Sequence, residues 1–154
     1  MKKNIAFRIA PYLDTQLIVF LEERTRDDVL KKLIEKAAAA GKIEDTPAFY
    51  QAIIEREKIV STAIGMGVAI PHAKLPAYDN FFIAIGILKH GVEWRAVDHA
   101  PVRFVFLIGG PDDKQTEYLQ LLSNLTLAIK DETMRKKMLA AHTAEGVMAL
   151  FRTL

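Results

Sequence analysis

The chain contains no cysteine. That excludes disulfides, thiolate metal centres and cysteine nucleophiles, and it fits a reducing compartment. No run approaches the ~18 consecutive apolar residues that a membrane-spanning helix needs. The opening MKKNIAFRIAPYL has two lysines, but Asn4 and Arg8 break its apolar stretch, so it makes a poor signal peptide. There is no dense Lys/Arg block, and 21 basic against 19 acidic residues leave a formal net charge of only +2. Such a balance gives no reason to expect nucleic acid. His90, ahead of Gly91 in an expected turn, and His142, near a helix end, lack metal-ligand spacing with any histidine or carboxylate, so neither metal nor cofactor is expected. Gly65 and Gly67 do not open a G-x-G-x-x-G loop, because position 70 is Ile. Repeats, linkers and low-complexity segments are also missing; AAAA at 37–40 only ends a helix. These absences describe one cytoplasmic domain over residues 1–154, without direct membrane insertion.

What is present is an ordinary globular composition, 51% hydrophobic and 26% charged, in a chain of 154 residues, long enough to close a sizeable core. TQLIVFL, residues 15–21, is short and rich in β-branched and aromatic residues, which predicts a strand or near-strand. TRDDVLKKLIEKAAAAG predicts a helix capped by Thr25 and stopped by Gly41, with Val29, Leu30, Leu33, Ile34 and Ala37 facing the core. DTPAFYQAIIERE predicts a second, with Thr46 as cap, Pro47 in the first helical position and Phe49, Tyr50, Ile53 and Ile54 as its stripe.

FFIAIGIL (81–88) and VRFVFLIGG (102–110) read as buried strands, and KHGVEWRAVDHAP between them as turns with room for one short strand. Trp94, Phe81 and Phe82 are expected to pack rather than to bind ligand, and Asp112, Asp113 and Lys114 to form a solvated loop. Three helices follow. TEYLQLLSNLTLAI carries Tyr118, Leu121, Leu122, Leu125 and Ile129 on one face, while DETMRKKMLAA and TAEGVMALF each open on a capping residue. Interleaved strands and helices predict an α/β sandwich around a central sheet.

The stretch STAIGMGVAIPHAKL concentrates the chemistry. Gly65 and Gly67 allow positive φ around Met66, and VAI reads as a three-residue strand ending at Pro71. Pro71 holds Ile70 extended and lacks an N–H, so His72 is presented at a strand end with a restricted approach. A neutral imidazole nitrogen is a competent nucleophile near pH 7, and holding it on a stiff element lowers the entropic cost of attack. Upstream, REKIVST adds Arg56, whose planar fork matches phosphate oxygens, and the hydroxyls of Ser61 and Thr62. Phosphoryl transfer asks mainly for positioning and charge stabilisation, which such a set can supply. Taken singly, each of these features is more often structural: a Pro-His in a turn, a solvated arginine at a helix end, a glycine bend.

As a set, REKIVSTAIGMGVAIPHAK resembles the active-site signature of the type-2 enzyme IIA domains of the bacterial phosphotransferase system, both the fructose/mannitol sugar components and their nitrogen-regulatory relatives. The likeness continues through GVEW, Asp98, PVRFVFLIGGP and EYLQLLSNL, from about residue 12 to the end. The resemblance implies a central, mainly mixed sheet flanked by helices, and phosphorylation of His72 by an HPr-like phosphocarrier protein with Arg56 pairing the phosphoryl oxygens. It further implies onward transfer to a cysteine of a IIB domain in sugar-transporting members, or retention as a signal to a regulatory protein target in the others.

Two positions depart from the family pattern. Tyr118 stands where many members carry a second histidine. A tyrosine keeps a hydrogen-bond donor for the phosphoryl group but cannot become cationic. His99 replaces a usual glycine, and is a candidate to supply the missing imidazole, against the commoner role of a solvated loop histidine. Met66 and Leu75 are candidate apolar contacts for a docking carrier, with core filling the alternative for Met66. Three roles stay open on these residues: a phosphotransferase component, a regulatory interaction module, and a scaffold that no longer accepts phosphate because of Tyr118. The lack of a fused IIB or IIC part tilts the reading toward a stand-alone regulatory or nitrogen-type protein.

Overall fold

The computed structural model describes residues 8–152. Most of the segment read above as a poor signal peptide therefore lies outside the described residues. The elements are β1 (Ile18–Leu21), α1 (Arg26–Ala39), α2 (Thr46–Ile59), β2 (Ala63–Gly65), β3 (Val68–Ala69), β4 (His72–Lys74), β5 (Phe82–Val92), β6 (Val102–Gly110), α3 (Gln115–Lys130), α4 (Glu132–Ala140) and α5 (Ala144–Arg152).

The six strands form one mixed sheet in the order β1-β5-β6-β3-β2, with β4 also paired to β6. β5 and β6 are antiparallel, while β1 runs parallel to β5, and β3 and β4 run parallel to β6. The two long strands are apolar at nearly every position because both faces of the sheet are covered. Ile83, Ile85, Ile87, Phe104, Phe106 and Ile108 point to a core shared with α3, α4 and α5. Phe82, Ala84, Leu88, Val105 and Leu107 alternate with them and point to a second core under α1 and α2. The expected α/β sandwich is present, with Trp94, Phe81 and Phe82 buried.

Four local expectations are corrected. Residues 15–17 are not strand: Leu17 N–H closes a 3₁₀ turn on Asp14 O at 2.8 Å while the Asp14 carboxylate accepts from Gln16 N–H, so β1 begins only at Ile18. The cap of α2 is Asp45, whose carboxylate accepts from Ala48 N–H at 3.1 Å; Thr46 is already helical and Pro47 comes second. Residues 89–92, His90 included, continue β5 past the expected turn, and residues 93–101 carry no strand. Finally, the VAI strand is two residues long, and His72 opens a strand rather than following the end of one.

That last correction has a simple cause. β3 and β4 are two segments of one course along the same edge of β6, Val68–Ala69 facing Phe104–Val105 and His72–Lys74 facing Ile108–Gly110. Between them Ile70 N–H turns away to Thr62 O at 3.0 Å, and Pro71 has no N–H to give. The course resumes once Pro71 O accepts from Ile108 N–H at 2.9 Å. His72 is thus locked to the central strand from its first residue.

Candidate functional site

The approach to His72 is shaped by a turn with three consecutive positive φ angles: Gly65 at 96°, Met66 at 60° and Gly67 at 74°. Only glycine adopts the first freely, and a Cβ on Gly65 would also stand 3.1 Å from Asp98 Oδ2. That carboxylate accepts from Met66 N–H at 2.9 Å and from Ala100 N–H at 3.0 Å. The two backbone donors hold the Asp98 carboxyl below the usual carboxylate range. Asp98 thereby ties the loop between β5 and β6 to the β2–β3 turn, and the strained Met66 backbone is held in place by its surroundings.

His72 is half-buried, and its Nδ1 donates to Ile70 O at 3.2 Å. With the proton on Nδ1, the lone pair sits on Nε2. Burial pushes the His72 pKa below its ordinary 6.5. The Ile70 carbonyl works in the opposite sense, and the charges of Arg56 and Lys74 depress it further. The imidazole is therefore neutral at neutral pH.

His72 borders a cavity of about 350 Å³. Its apolar wall comes from Ile64, Met66, Ile70 and Leu122, its polar wall from Ser61, Thr62, Tyr118 and Thr126, and its charges from Arg56 and Lys130. Two cations and no carboxylate line it, so the cavity suits an anion. A larger cavity of about 750 Å³ is lined by both signs, with Arg26, Lys58 and Arg95 beside Asp27, Glu57 and Glu93, and it holds no histidine.

Of the residues singled out from sequence, His72, Arg56, Ser61, Thr62 and Tyr118 all line the one cavity. Arg56 donates to Val60 O at 2.9 Å, closing the last turn of its own helix while its charge reaches His72 and Tyr118. The two hydroxyls are engaged elsewhere. Ser61 donates to Trp94 O at 2.5 Å and accepts from Ala63 N–H, and Thr62 Oγ1 donates to Glu57 Oε2. Their single protons are therefore not directed at a phosphoryl group, and both residues act as braces.

The centre of that bracing is Glu57, a carboxylate only 4% exposed. It accepts from Thr62 N–H at 3.1 Å, from the Thr62 hydroxyl and from Trp94 Nε1 at 3.2 Å. The end of α2 is thereby fixed to both the segment leading to His72 and the loop after β5. In sequence Glu57 reads as one more charge at a helix end, and only the matching need of Trp94 for an acceptor hints otherwise.

Tyr118 is 5% exposed, its ring centroid 5.7 Å from that of His72. Burial raises its pKa and Arg56 moderates the rise, so it stays a neutral phenol. His99 belongs to the turn after Ala96, where its N–H donates to Ala96 O at 3.0 Å with φ at 61°. It is not among the residues lining the His72 cavity. Met66 is exposed on the cavity rim, Leu75 is half-buried, and the loop of Asp112, Asp113 and Lys114 is exposed as expected. Among the described residues no group of three or more His, Asp or Glu could hold a metal ion, and no helix is long and apolar enough to cross a membrane.

Fold and site together define a class: an α/β protein with a neutral imidazole on a cavity lined by cations. The sequence model of the family described as "Phosphoenolpyruvate-dependent sugar phosphotransferase system, EIIA 2" matches residues 11–153. The chain belongs to this family, and is a phosphocarrier component of that system. It is 34% identical over 128 residues to the fructose-specific EIIABC component of Bacillus subtilis, covering 83% of this chain but only 20% of that protein. Against the fructose-specific EIIA component of Haloferax volcanii it is 32% identical over 132 residues, covering 84% of this chain and 86% of the other. Among solved structures, the nitrogen regulatory protein IIA-Ntr of Neisseria meningitidis superposes with a TM-score of 0.87 at 24% identity, over 93% of this chain and 98% of that one. This likeness bears on the fold, and it agrees with the mixed sheet flanked by helices.

Proposed function

We propose that the chain acts as one EIIA unit in the cytoplasm and carries its phosphoryl group on Nε2 of His72, received from an HPr-like phosphocarrier. The lone pair of Nε2 forms the new N–P bond as the donor's bond to phosphorus breaks, with its electron pair leaving on the donor. The proton on Nδ1 stays shared with Ile70 O, so the phosphorylated ring is cationic and offsets part of the phosphoryl charge. The same cationic ring is a good leaving group, which suits a carrier that must give the phosphoryl group up again. Arg56 and Lys130 face the space the oxygens would occupy, and electrostatic stabilisation of this kind is the main demand of phosphoryl transfer.

The observation that carries this reading is the Nδ1–Ile70 bond, which leaves Nε2 as the free nitrogen of a half-buried imidazole on a cavity lined by cations. The test is incubation of the protein and a His72→Ala variant with the phosphorylated carrier, followed by intact-mass measurement. The native chain gains one acid-labile phosphoryl group and the variant none. An equal gain in the variant would move the acceptor elsewhere.

The onward step separates transport from regulation. Residues 1–154 hold no cysteine, so in a sugar-transporting role the acceptor thiol of IIB lies outside them; the Bacillus relative is named as a single EIIABC component. Discharge of the phosphorylated chain on adding a IIB protein supports transport, and a phosphoryl group that persists supports a regulatory target. A scaffold without phosphotransfer has little behind it, because Tyr118 leaves His72, Arg56 and the cavity intact.

A further inference from the structure

Loss of the second histidine raises the question of what else stabilises the phosphoryl charge. Ser61 and Thr62 have their protons engaged, and of the two cations on the cavity Arg56 gives one donor to Val60 O while Lys130 reaches it from the end of α3. Lys74 occupies the right place. It lies two residues after His72 in β4, so the pleat puts both side chains on the same face of the strand. Both touch one ring: the His72 centroid is 5.7 Å and Lys74 Nζ 4.2 Å from the centroid of Tyr118. The tyrosine that stands in for the imidazole is a cation–π seat for an ammonium.

Lys74 is also held loosely in charge terms. Its Nζ donates to the neutral amide oxygen of Gln115 at 2.9 Å, and it makes no ion pair with a carboxylate among the described residues. An ammonium has three donors, and Gln115 uses one. Exchanging a neutral amide for a dianionic phosphoryl group on the adjacent imidazole is a favourable swap, since charge-assisted bonds are the stronger. The position is half-buried, where such a bond is less screened than in open water.

We infer that Lys74 is a phosphoryl-binding residue of this chain, seated on Tyr118 and tethered by Gln115 until His72 is phosphorylated, when Nζ turns to the phosphoryl oxygens. Tyr118 and Lys74 together then replace a second active-site histidine. The inference rests on His72 being the acceptor, and its test separates the two claims.

Potassium phosphoramidate, a small donor that needs no protein partner, is added to the native chain and to His72→Ala, Lys74→Gln and Lys74→Arg variants. In this reaction Nε2 bonds to phosphorus and ammonia leaves with the electron pair of the broken P–N bond after taking a proton from solvent. Formation and hydrolysis of phosphohistidine are followed by mass. Lys74→Gln should form it about tenfold more slowly, the size expected for one charge-assisted bond, and Lys74→Arg should recover most of the rate. Recovery by arginine marks a charge role, because a packing role would not favour the bulkier side chain. Native chain and Lys74→Gln labelling and hydrolysing at equal rates would overturn the role of Lys74 while leaving His72 as acceptor. Labelling that survives in His72→Ala would overturn both.

Discussion

Replacing Glu57 by alanine tests whether the bracing behind the site is as described. The carboxylate is 4% exposed and serves three donors. The Thr62 hydroxyl can rotate toward another acceptor, but Thr62 N–H and Trp94 Nε1–H are fixed in direction. Each donor left buried without a partner costs about 1–3 kcal/mol, so the two together cost ~2–6 kcal/mol. Release of a buried charge offsets part of this, and ~3 kcal/mol is a reasonable centre. For a chain of this size each kcal/mol moves Tm by about 2–4 °C, so thermal unfolding followed by circular dichroism should fall by ~6–12 °C. Glu57→Gln retains one oxygen but points an amide toward a donor, and should lose about half as much. Trp94 is the only tryptophan, so its emission reports directly on the broken bond. A Tm within 2 °C of the native value in the alanine variant, with unchanged Trp94 emission, would refute the reasoning.

Other consequences follow from the same geometry. Because burial holds the His72 pKa below 6.5, phosphoryl acceptance should be flat through neutral pH and fall only on acidification below that value, when Nε2 becomes protonated. A rate already halved above pH 6.5 would contradict this. The depressed pKa also means that the unfolded chain takes up the proton more readily than the folded one, so His72 makes stability fall as pH drops below 6.5; His72→Gln should flatten that part of the stability profile. Arg56→Gln should slow phosphorylation about 10–100-fold through loss of charge stabilisation and raise the His72 pKa in an NMR titration. Gly109→Ala would put a Cβ 2.5 Å from the Phe82 ring and 2.9 Å from that of Phe49, which should lower stability by about 1–3 kcal/mol in urea unfolding.

Much of the fold was legible because it obeys local rules. Thr25 caps α1 through Asp28 N–H, and all five residues predicted for its inner face are buried. The two long strands announced themselves as apolar runs, broken only by Arg103 over 81–88 and 102–110. What escaped the sequence had one local cause and one distant one. Asp14 turned residues 15–17 into a 3₁₀ turn, and the register of β6 recruited residues 72–74 into a strand that Pro71 had suggested was over.

The same division holds at the site. The run from Arg56 to His72 is contiguous, so its chemistry could be read directly. Lys130 reaches the cavity from the far end of α3, and Lys74 acquires meaning only from the Tyr118 ring it covers. Ser61 and Thr62 are the reverse case: their residue types suited phosphate and both line the cavity, while Trp94 and Glu57 engage their protons. Spacing along a chain shows which groups are near, and not which are free.

The central claim is that Nε2 of His72 is the phosphoryl acceptor. It is tested most directly by phosphorylating the native chain with the phosphorylated HPr-like carrier and recording ¹H–¹⁵N correlations of the histidine ring under non-acidic conditions. The account predicts a single phosphohistidine at His72 with phosphorus coupled to Nε2 and the proton retained on Nδ1. Coupling to Nδ1, or a phosphoryl group on any other residue, would contradict it.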